Sequence, residues 1–338
     1  LSGEATVIAD KVQHDAGTWH TSFSVSDEGT FIYEPGGGSM GVDLLWRDRA
    51  GREMGKVGDR GPYRGLRLSP DGKRLAVVLG DPKADIWVYD LVRGNRRRLT
   101  FDQSDHFLPS WSGDGRRVFF TSTGGTANFN TEVHAKAVDG SGGDELLFKM
   151  PSVSLLWPQL TPDGRVLSYQ AVAGQSGFTA WAVPLSGDRK PVPVVLPQSP
   201  QSRLNAQRLS PDGKWLAYSG AESGREEVYV TSFPSGSGRW QISQNGGLFP
   251  VWRGDSKEIY FIGSAAPIRM YAAELKVTEN EIEVQSVRPL FATPNVAGAG
   301  ELYDVSPDGT KFLIPTTTAT ESAPMTLVVN WLSVLEKK

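Results

Sequence analysis

One four-residue turn, repeated seven times, constrains this chain more than any other feature. It reads Ser69-Pro70-Asp71-Gly72, Ser210-Pro211-Asp212-Gly213 and Ser306-Pro307-Asp308-Gly309. Looser copies are Ser26-Asp27-Glu28-Gly29, Ser112-Gly113-Asp114-Gly115, Thr161-Pro162-Asp163-Gly164 and Arg253-Gly254-Asp255-Ser256. Their first residues lie 43, 43, 49, 49, 43 and 53 apart. Each residue type has a reason to be there. Proline presets φ for a tight turn, Asp and Ser bond nearby amides, and Gly accepts positive φ. A regular period of this length marks stacked repeat units, not an irregular globule.

The segments after each turn identify the unit. Apolar runs follow directly, as in Leu75-Ala76-Val77-Val78-Leu79 and Trp215-Leu216-Ala217-Tyr218. A second run comes about ten residues later, as in Ile86-Trp87-Val88-Tyr89, and a short third run closes the unit, as in Arg98-Leu99-Thr100. Both alternating faces of the middle runs are apolar, which fits a sheet covered on both sides. With the strand before the turn, each unit has four strands. The expectation is an all-β chain, a single β-propeller domain over residues 1–338 made of four-stranded antiparallel blades. Seven turns predict seven blades, with six full blades as the alternative. The last unit runs short after Trp331, and Ala5-Thr6-Val7-Ile8-Ala9 is spare. The predicted closure therefore lets this N-terminal strand complete the last blade, removing exposed edges.

Composition excludes several functions. Lys and Arg number 35 against 38 Asp and Glu, a net charge of −3. Such a balance argues against nucleic acid or an anionic membrane as partner. No apolar stretch approaches the roughly 20 residues that span a bilayer, so no membrane insertion by this chain is expected. Cysteine is absent, which removes disulfides, thiolate catalysis and cysteine metal sites. The chain begins at Leu1 without a signal-peptide pattern, so a processed or excised segment is expected.

The phrase Leu68-Ser69-Pro70-Asp71-Gly72-Lys73-Arg74-Leu75-Ala76, with Asp85-Ile86-Trp87-Val88-Tyr89-Asp90 and Arg98-Leu99-Thr100, resembles the TolB-type, WD-like propeller repeat. This resemblance covers essentially the whole chain. Tyr63 to Gly72, Pro184 to Pro191, Trp240-Gln241-Ile242-Ser243 and Val328-Val329-Asn330-Trp331 also resemble the C-terminal propeller region of bacterial receptor-like Ser/Thr kinases. In that group a cytoplasmic kinase precedes a membrane helix and an external propeller. The resemblance implies an extracytoplasmic sensor or interaction domain.

Catalytic motifs are missing from the sequence. There is no His-Arg-Asp loop, no Asp-Phe-Gly and no Gly-rich phosphate loop. Gly174-Gln175-Ser176-Gly177 lacks the second spaced Gly of a nucleophile elbow. Asp139-Gly140-Ser141-Gly142-Gly143-Asp144-Glu145 lacks the ligand spacing of a calcium loop and is read as a hairpin. The turn acids are read as serving backbone geometry, and Arg93, Arg96, Arg97 and Arg98 as a solvated outer edge. His134 is read as a packing residue, and His14 and His20 as surface residues. No local His pair offers a metal site, and neither metal nor cofactor is expected.

Function is therefore expected on loops that converge on one face, those entering the inner strands and those joining second and third strands. The predicted ligand-binding set is Tyr63, Arg64, Asp105, His106, Phe107, Trp157, Arg203, Asn205 and Phe249. Aromatic and Arg side chains with a few polar partners suit a peptide, protein, glycan or small ligand. The expected activity is binding without catalysis. The alternative is a propeller hydrolase or lyase using channel-mouth carboxylates and His106.

Overall fold

The computed structural model describes residues 8–9, 12, 14–15, 20–21, 23–33, 41–80, 83–124, 131–172, 178–196, 204–293, 303–317 and 325–331. Among them there is no α-helix, and the chain is a β-propeller of antiparallel blades. Five blades follow one another in sequence. Their inner strands are Tyr63–Leu68, His106–Trp111, Ser154–Leu160, Leu204–Leu209 and Leu248–Trp252, and each pairs outward with three successive strands. The sixth blade has a mixed origin. Asp304–Val305 and Lys311–Thr316 come from the C-terminal part, and Val42–Asp48 and Glu53–Gly61 from the N-terminal part. They join in register, with Lys311 opposite Asp48 and Thr316 opposite Asp43.

Apolar packing shows how these blades are arranged. Six buried clusters fill six inter-blade gaps. The cluster that closes the ring brings Val42, Leu44, Val57 and Leu313 of the sixth blade against Leu66, Leu68 and Leu75 of the first. Each fully buried Leu or Val contributes roughly 1.5–3 kcal/mol, so the seam is held as the other gaps are, by apolar burial.

Seven sheets carry the seven turns. Six are four-stranded and ring the axis. The seventh has three strands, ordered Thr326–Val329, Thr30–Tyr33, Phe23–Val25. Both counts from the sequence thus have a counterpart, seven turn-bearing sheets and six full blades. The three-stranded sheet leaves Phe23, Val25, Leu327 and Val329 exposed, because no blade covers that face among the described residues. The chain termini do close on each other, but through other residues than the spare segment. Ala5 to Val7 lie outside the described residues, and Ile8 and Ala9 belong to no strand. Val42–Asp48 and Glu53–Gly61 supply the outer half of the closing blade instead. A single outer strand would not suffice, since the C-terminal part provides only two strands there.

The turns behave as their composition predicts. Ser69 Oγ donates to Asp71 Oδ1 at 2.5 Å, Asp71 accepts from the Lys73 amide, and Ser69 Oγ accepts from the Arg74 amide. The same set recurs at Ser112, Thr161 and Ser306. Gly72 and Gly213 have φ of 67° and 72°. In the Arg253 turn Ser256 takes that conformation, φ 61°, without glycine.

Candidate functional site

Each inner strand runs toward its turn in the same geometry, so residues at equal distance before the turn form layers across the axis. Three layers matter, at six, four and two residues before the turn.

The outermost layer consists of Tyr63, His106, Leu155, Leu204 and Gly247, all buried. Each sits where the chain crosses from one blade to the next. The crossing is anchored by a side chain of the preceding blade. Between the first and second blades, Thr100 Oγ1 donates to Asp85 at 3.1 Å and accepts from the Ile86 amide at 3.0 Å. Ser243 and Glu227 repeat this device between the fourth and fifth blades. The His106 amide donates to Ala84 O, as the Gly247 amide does to Glu226 O.

The His106 side chain is different from its equivalents. Tyr63 Oη is satisfied by Tyr89 Oη and Asp59 O, both at 2.8 Å. Both ring nitrogens of His106 are buried without a properly formed hydrogen bond. Carboxylates nevertheless stand close. Asp102 Oδ1 is 3.3 Å from Nε2 and Asp85 Oδ1 is 3.7 Å from Nδ1. Burial lowers the His106 pKa and outweighs the pull of Asp102, Asp85 and Asp144, so the ring favours the neutral form.

The middle layer is a series of β-bulges. The inner-strand register slips between Phe107 and Ser110, Leu156 and Gln159, Asn205 and Gln207, and Leu248 and Val251. At each slip one non-glycine residue has positive φ: Leu108 51°, Trp157 53°, Ala206 39° and Phe249 55°. Such conformations cost of order 1–3 kcal/mol each, and a bulge re-aims the side chain. Three of the four precede proline, in Leu108-Pro109, Trp157-Pro158 and Phe249-Pro250. Proline has no N–H, so the bulge orphans no donor. Phe249 is further fixed by Ser219 Oγ, which accepts from its amide at 3.0 Å, and by Tyr303 Oη, which donates to its carbonyl at 2.8 Å.

The inner layer is Arg67, Ser110, Gln159, Arg208, Val251 and Asp304, and it lines an axial cavity of 270 Å3. Arg67 and Arg208 stand three places apart in a ring of six, on opposite walls. Asp304 and Gln159 also oppose each other and make the same bond. Asp304 Oδ2 accepts from the Leu68 amide at 2.7 Å, and Gln159 Oε1 accepts from the Leu209 amide at 2.8 Å. These bonds tie sixth to first blade and third to fourth. Asp304 is only 4 % exposed. Burial pushes its carboxyl pKa up, against the Arg208 charge and the Leu68 bond. The cavity is polar and basic on two sides, and the bulge layer lies one step further along the axis.

Solved structures resemble this fold. A putative TolB from Agrobacterium tumefaciens is 16% identical, covering 84% of this chain and 100% of that one, with a TM-score of 0.62. Hydrazine synthase of Kuenenia stuttgartiensis is 14% identical over 91% of this chain and 94% of that one, TM-score 0.54. Oligogalacturonate lyase from Vibrio parahaemolyticus is 10% identical over 90% and 97%, TM-score 0.50. At such identities the likeness shows the fold alone: a TolB-like β-propeller. No protein-family model and no curated protein sequence matches the chain.

Of the nine residues predicted to bind ligand, the eight that are described divide between the bulge layer and the crossings between blades. Trp157 and Phe249 share the bulge layer and are partly exposed, and Phe249 packs on the apolar cluster between the fifth and sixth blades. Arg64 lies in the corresponding bulge of the first blade, between Tyr63 and Gly65, and is also partly exposed. Tyr63 is buried between the sixth and first blades. Asp105 accepts from the Ala84 amide at 2.8 Å, which makes it an anchor of the blade crossing. Phe107 packs on the apolar cluster between the first two blades. His106 is buried off the axis and does not line the cavity. Asn205 pairs with Ser219 through its backbone. Arg203 lies outside the described residues, as do Gly174 to Gly177. The cavity ring itself was missed by sequence reasoning. Counting back two residues from each of the six turns of the four-stranded blades would have found it.

His134, read as packing, stacks on Phe120 with ring centroids 5.9 Å apart. The arginine cluster is indeed an outer edge: Arg96–Arg98 is the last strand of the first blade. Arg98 is more than an edge residue, since it pairs with the buried Asp85 at 2.7 Å.

Proposed function

We propose that this chain is a non-catalytic binding propeller that receives a peptide, protein, glycan or small ligand along its axis. One observation carries the reading. A 270 Å3 axial cavity has Arg67 and Arg208 on opposite walls, and next to it lies the layer of bulges that holds Trp157 and Phe249. Concave sites with an apolar mouth and a few placed polar groups are the usual form of a ligand pocket. The two arginines favour a ligand with a carboxylate or other acidic group. The strain at four bulges fits a mouth built for recognition, because such conformations gather at binding sites.

The setting belongs to the same reading. The chain acts as an extracytoplasmic sensor or interaction domain of a bacterial receptor-like Ser/Thr kinase, with kinase chemistry on a separate segment. Its support is the resemblance of the Tyr63 to Gly72 and Val328 to Trp331 phrases to that group.

A hydrolase or lyase is the competing reading, since propellers of similar fold include an oligogalacturonate lyase. It would need titratable groups at the cavity wall. Of the cavity carboxylates, Asp304 is already engaged with the Leu68 amide, and His106 is elsewhere.

A screen with acidic peptides, glycans and neutral controls tests the proposal. Truncating a buried aromatic anchor typically costs 2 kcal/mol or more, roughly thirtyfold in affinity. Trp157→Ala should show that loss by calorimetry, while Arg97→Ala on the outer edge should change affinity less than about threefold. Loss of binding with Arg97→Ala alone would move the site to the outer edge. Turnover abolished by His106→Ala would replace binding with catalysis.

A further inference from the structure

Between the first and second blades, off the axis, the structure gathers Asp102, His106 and Asp144. One ligand atom of each lies within 4.8 Å of the others. The histidine is the unusual member. Its side chain is 1 % exposed, and neither ring nitrogen forms a proper hydrogen bond. The layer does not demand an unbonded polar side chain: Leu155, Leu204 and Gly247 fill it in the third to fifth blades, and Tyr63 of the first has its hydroxyl bonded. A buried imidazole with two unused nitrogens, facing carboxylates on both sides, requires an explanation.

We propose that Asp102, His106 and Asp144 form a binding site for a divalent transition cation of the zinc type. The geometry matches in three respects. First, imidazole and carboxylate are both ligand types that zinc takes, and three protein ligands leave a fourth position for water. Second, tetrahedral zinc with bonds of about 2.0–2.2 Å sets its ligand atoms roughly 3.4 Å apart, and Nε2 of His106 stands 3.3 Å from Asp102 Oδ1. Third, the other ring nitrogen faces a second carboxylate. Asp85 Oδ1 lies 3.7 Å from Nδ1 and is itself held by Arg98 and Thr100. Asp85 thus stands on the side where metal-bound histidines carry an outer carboxylate, although at 3.7 Å it makes no hydrogen bond in this structure. Asp102 is 50 % exposed, which provides a path from solvent and a place for water as fourth ligand.

A competitor is built in. Lys136 Nζ holds Asp144 Oδ1 at 2.6 Å, so an incoming dication must displace an ammonium. Lys136 also lies 5.7 Å from the Phe101 ring centre, a second resting place for the released charge. Lys83 stands 3.7 Å from Asp85 and donates to the Asp102 carbonyl. Three cations, Lys83, Arg98 and Lys136, therefore face three carboxylates, and the metal enters by exchange with Lys136. The bound ion would join the Asp102 segment, which leaves the first blade, to the Asp144 hairpin of the second.

Tag-free protein, stripped with chelator, is titrated with zinc chloride by calorimetry and with cobalt(II) by visible absorption. The expected result is one equivalent of zinc and an intense tetrahedral cobalt spectrum. His106→Leu places at this position the residue that the third and fourth blades carry in the same layer, so it should fold with an unchanged circular dichroism spectrum. It should lose the cobalt spectrum and bind zinc at least a hundredfold more weakly. Lys136→Gln removes the competitor and should tighten zinc about tenfold. Absence of zinc binding by the intact protein at millimolar concentration overturns the proposal. So does zinc or cobalt binding that survives His106→Leu unchanged, which would assign the ion to His14, His20 or His134.

Discussion

Glu258→Ala should destabilise the propeller by about 3–5 kcal/mol, the range for removing one partner of a buried ion pair. Glu258 is 2 % exposed on the second strand of the fifth blade. Arg49 grips it with two bonds, 2.7 and 3.0 Å, and donates to Gly309 O at 3.0 Å. Arg253 adds a bond at 2.9 Å and Tyr260 Oη one at 2.5 Å. Arg49 belongs to the N-terminal half of the sixth blade and Gly309 to its C-terminal half. A single carboxylate thus ties together the fifth blade and both halves of the closing blade. Arg49 itself is 30 % exposed, so solvent screening places the expected loss in the lower half of that range.

The same network predicts a pH dependence. Burial disfavours the Glu258 anion, but the bonds from Arg49 and Tyr260, with the charges of Arg49 and Arg253, more than offset it. They hold the carboxyl at about 2, below its ordinary 4.5. A depressed carboxylate pKa contributes stability that is complete above the unfolded value and is lost as pH falls toward the folded one. The loss should therefore run from about pH 4.5 down to about 2. Urea melts at pH 7 and pH 3 check it. Intact protein should lose more stability between them than Glu258→Gln does. Equal losses would show that Glu258 contributes nothing to the acid limb.

Valine at the turn glycines should rank by neighbour contact. Gly164, Gly72 and Gly213 have nearly the same φ, 71°, 67° and 72°. A side chain at any of them costs roughly 1–2 kcal/mol for the left-handed backbone. A Cβ on Gly164 would meet nothing within 4 Å, and on Gly72 it would stand 3.0 Å from Pro307 Cδ. On Gly213 it would stand 2.6 Å from Pro162 Cδ, in the turn of the neighbouring blade. Overpacking adds typically 1–3 kcal/mol, so Gly213→Val should cost about 2–5 kcal/mol and Gly164→Val only the backbone part. Lys73→Ala, on the solvent side of the first turn, should stay within about 0.5 kcal/mol. Equal effects at the three glycines in a denaturation series would mean that the turns of adjacent blades do not press on each other.

Much of the fold is local and therefore readable. The Ser-x-Asp-Gly turns bond within six residues, and the apolar runs after them need only a covering blade. Two sequence signals went unread. Leu108-Pro109, Trp157-Pro158 and Phe249-Pro250 recur in step with the turns and mark the bulges. The residues two before the six turns of the four-stranded blades mark the cavity ring. Of the predicted site, Arg64, Trp157 and Phe249 lie at the bulges of the inner strands, whereas Tyr63, Asp105 and His106 serve or occupy the blade crossing. Sequence position cannot separate these fates. One bulged residue decides whether a side chain faces the axis or the next blade.

From the sequence alone came the β class, the four-stranded unit, the seven turns and their role, because each depends on contacts within one unit. Only the tertiary structure decided which strands close the ring, which side chains share the axial cavity, and that His106 lies buried among carboxylates of two blades. Those facts depend on pairs such as Lys311 with Asp48 and Arg49 with Glu258, which are more than two hundred residues apart. The hydrophobic term that drives them is non-directional, so the pattern of apolar residues shows that a blade will be covered and does not say by which strand.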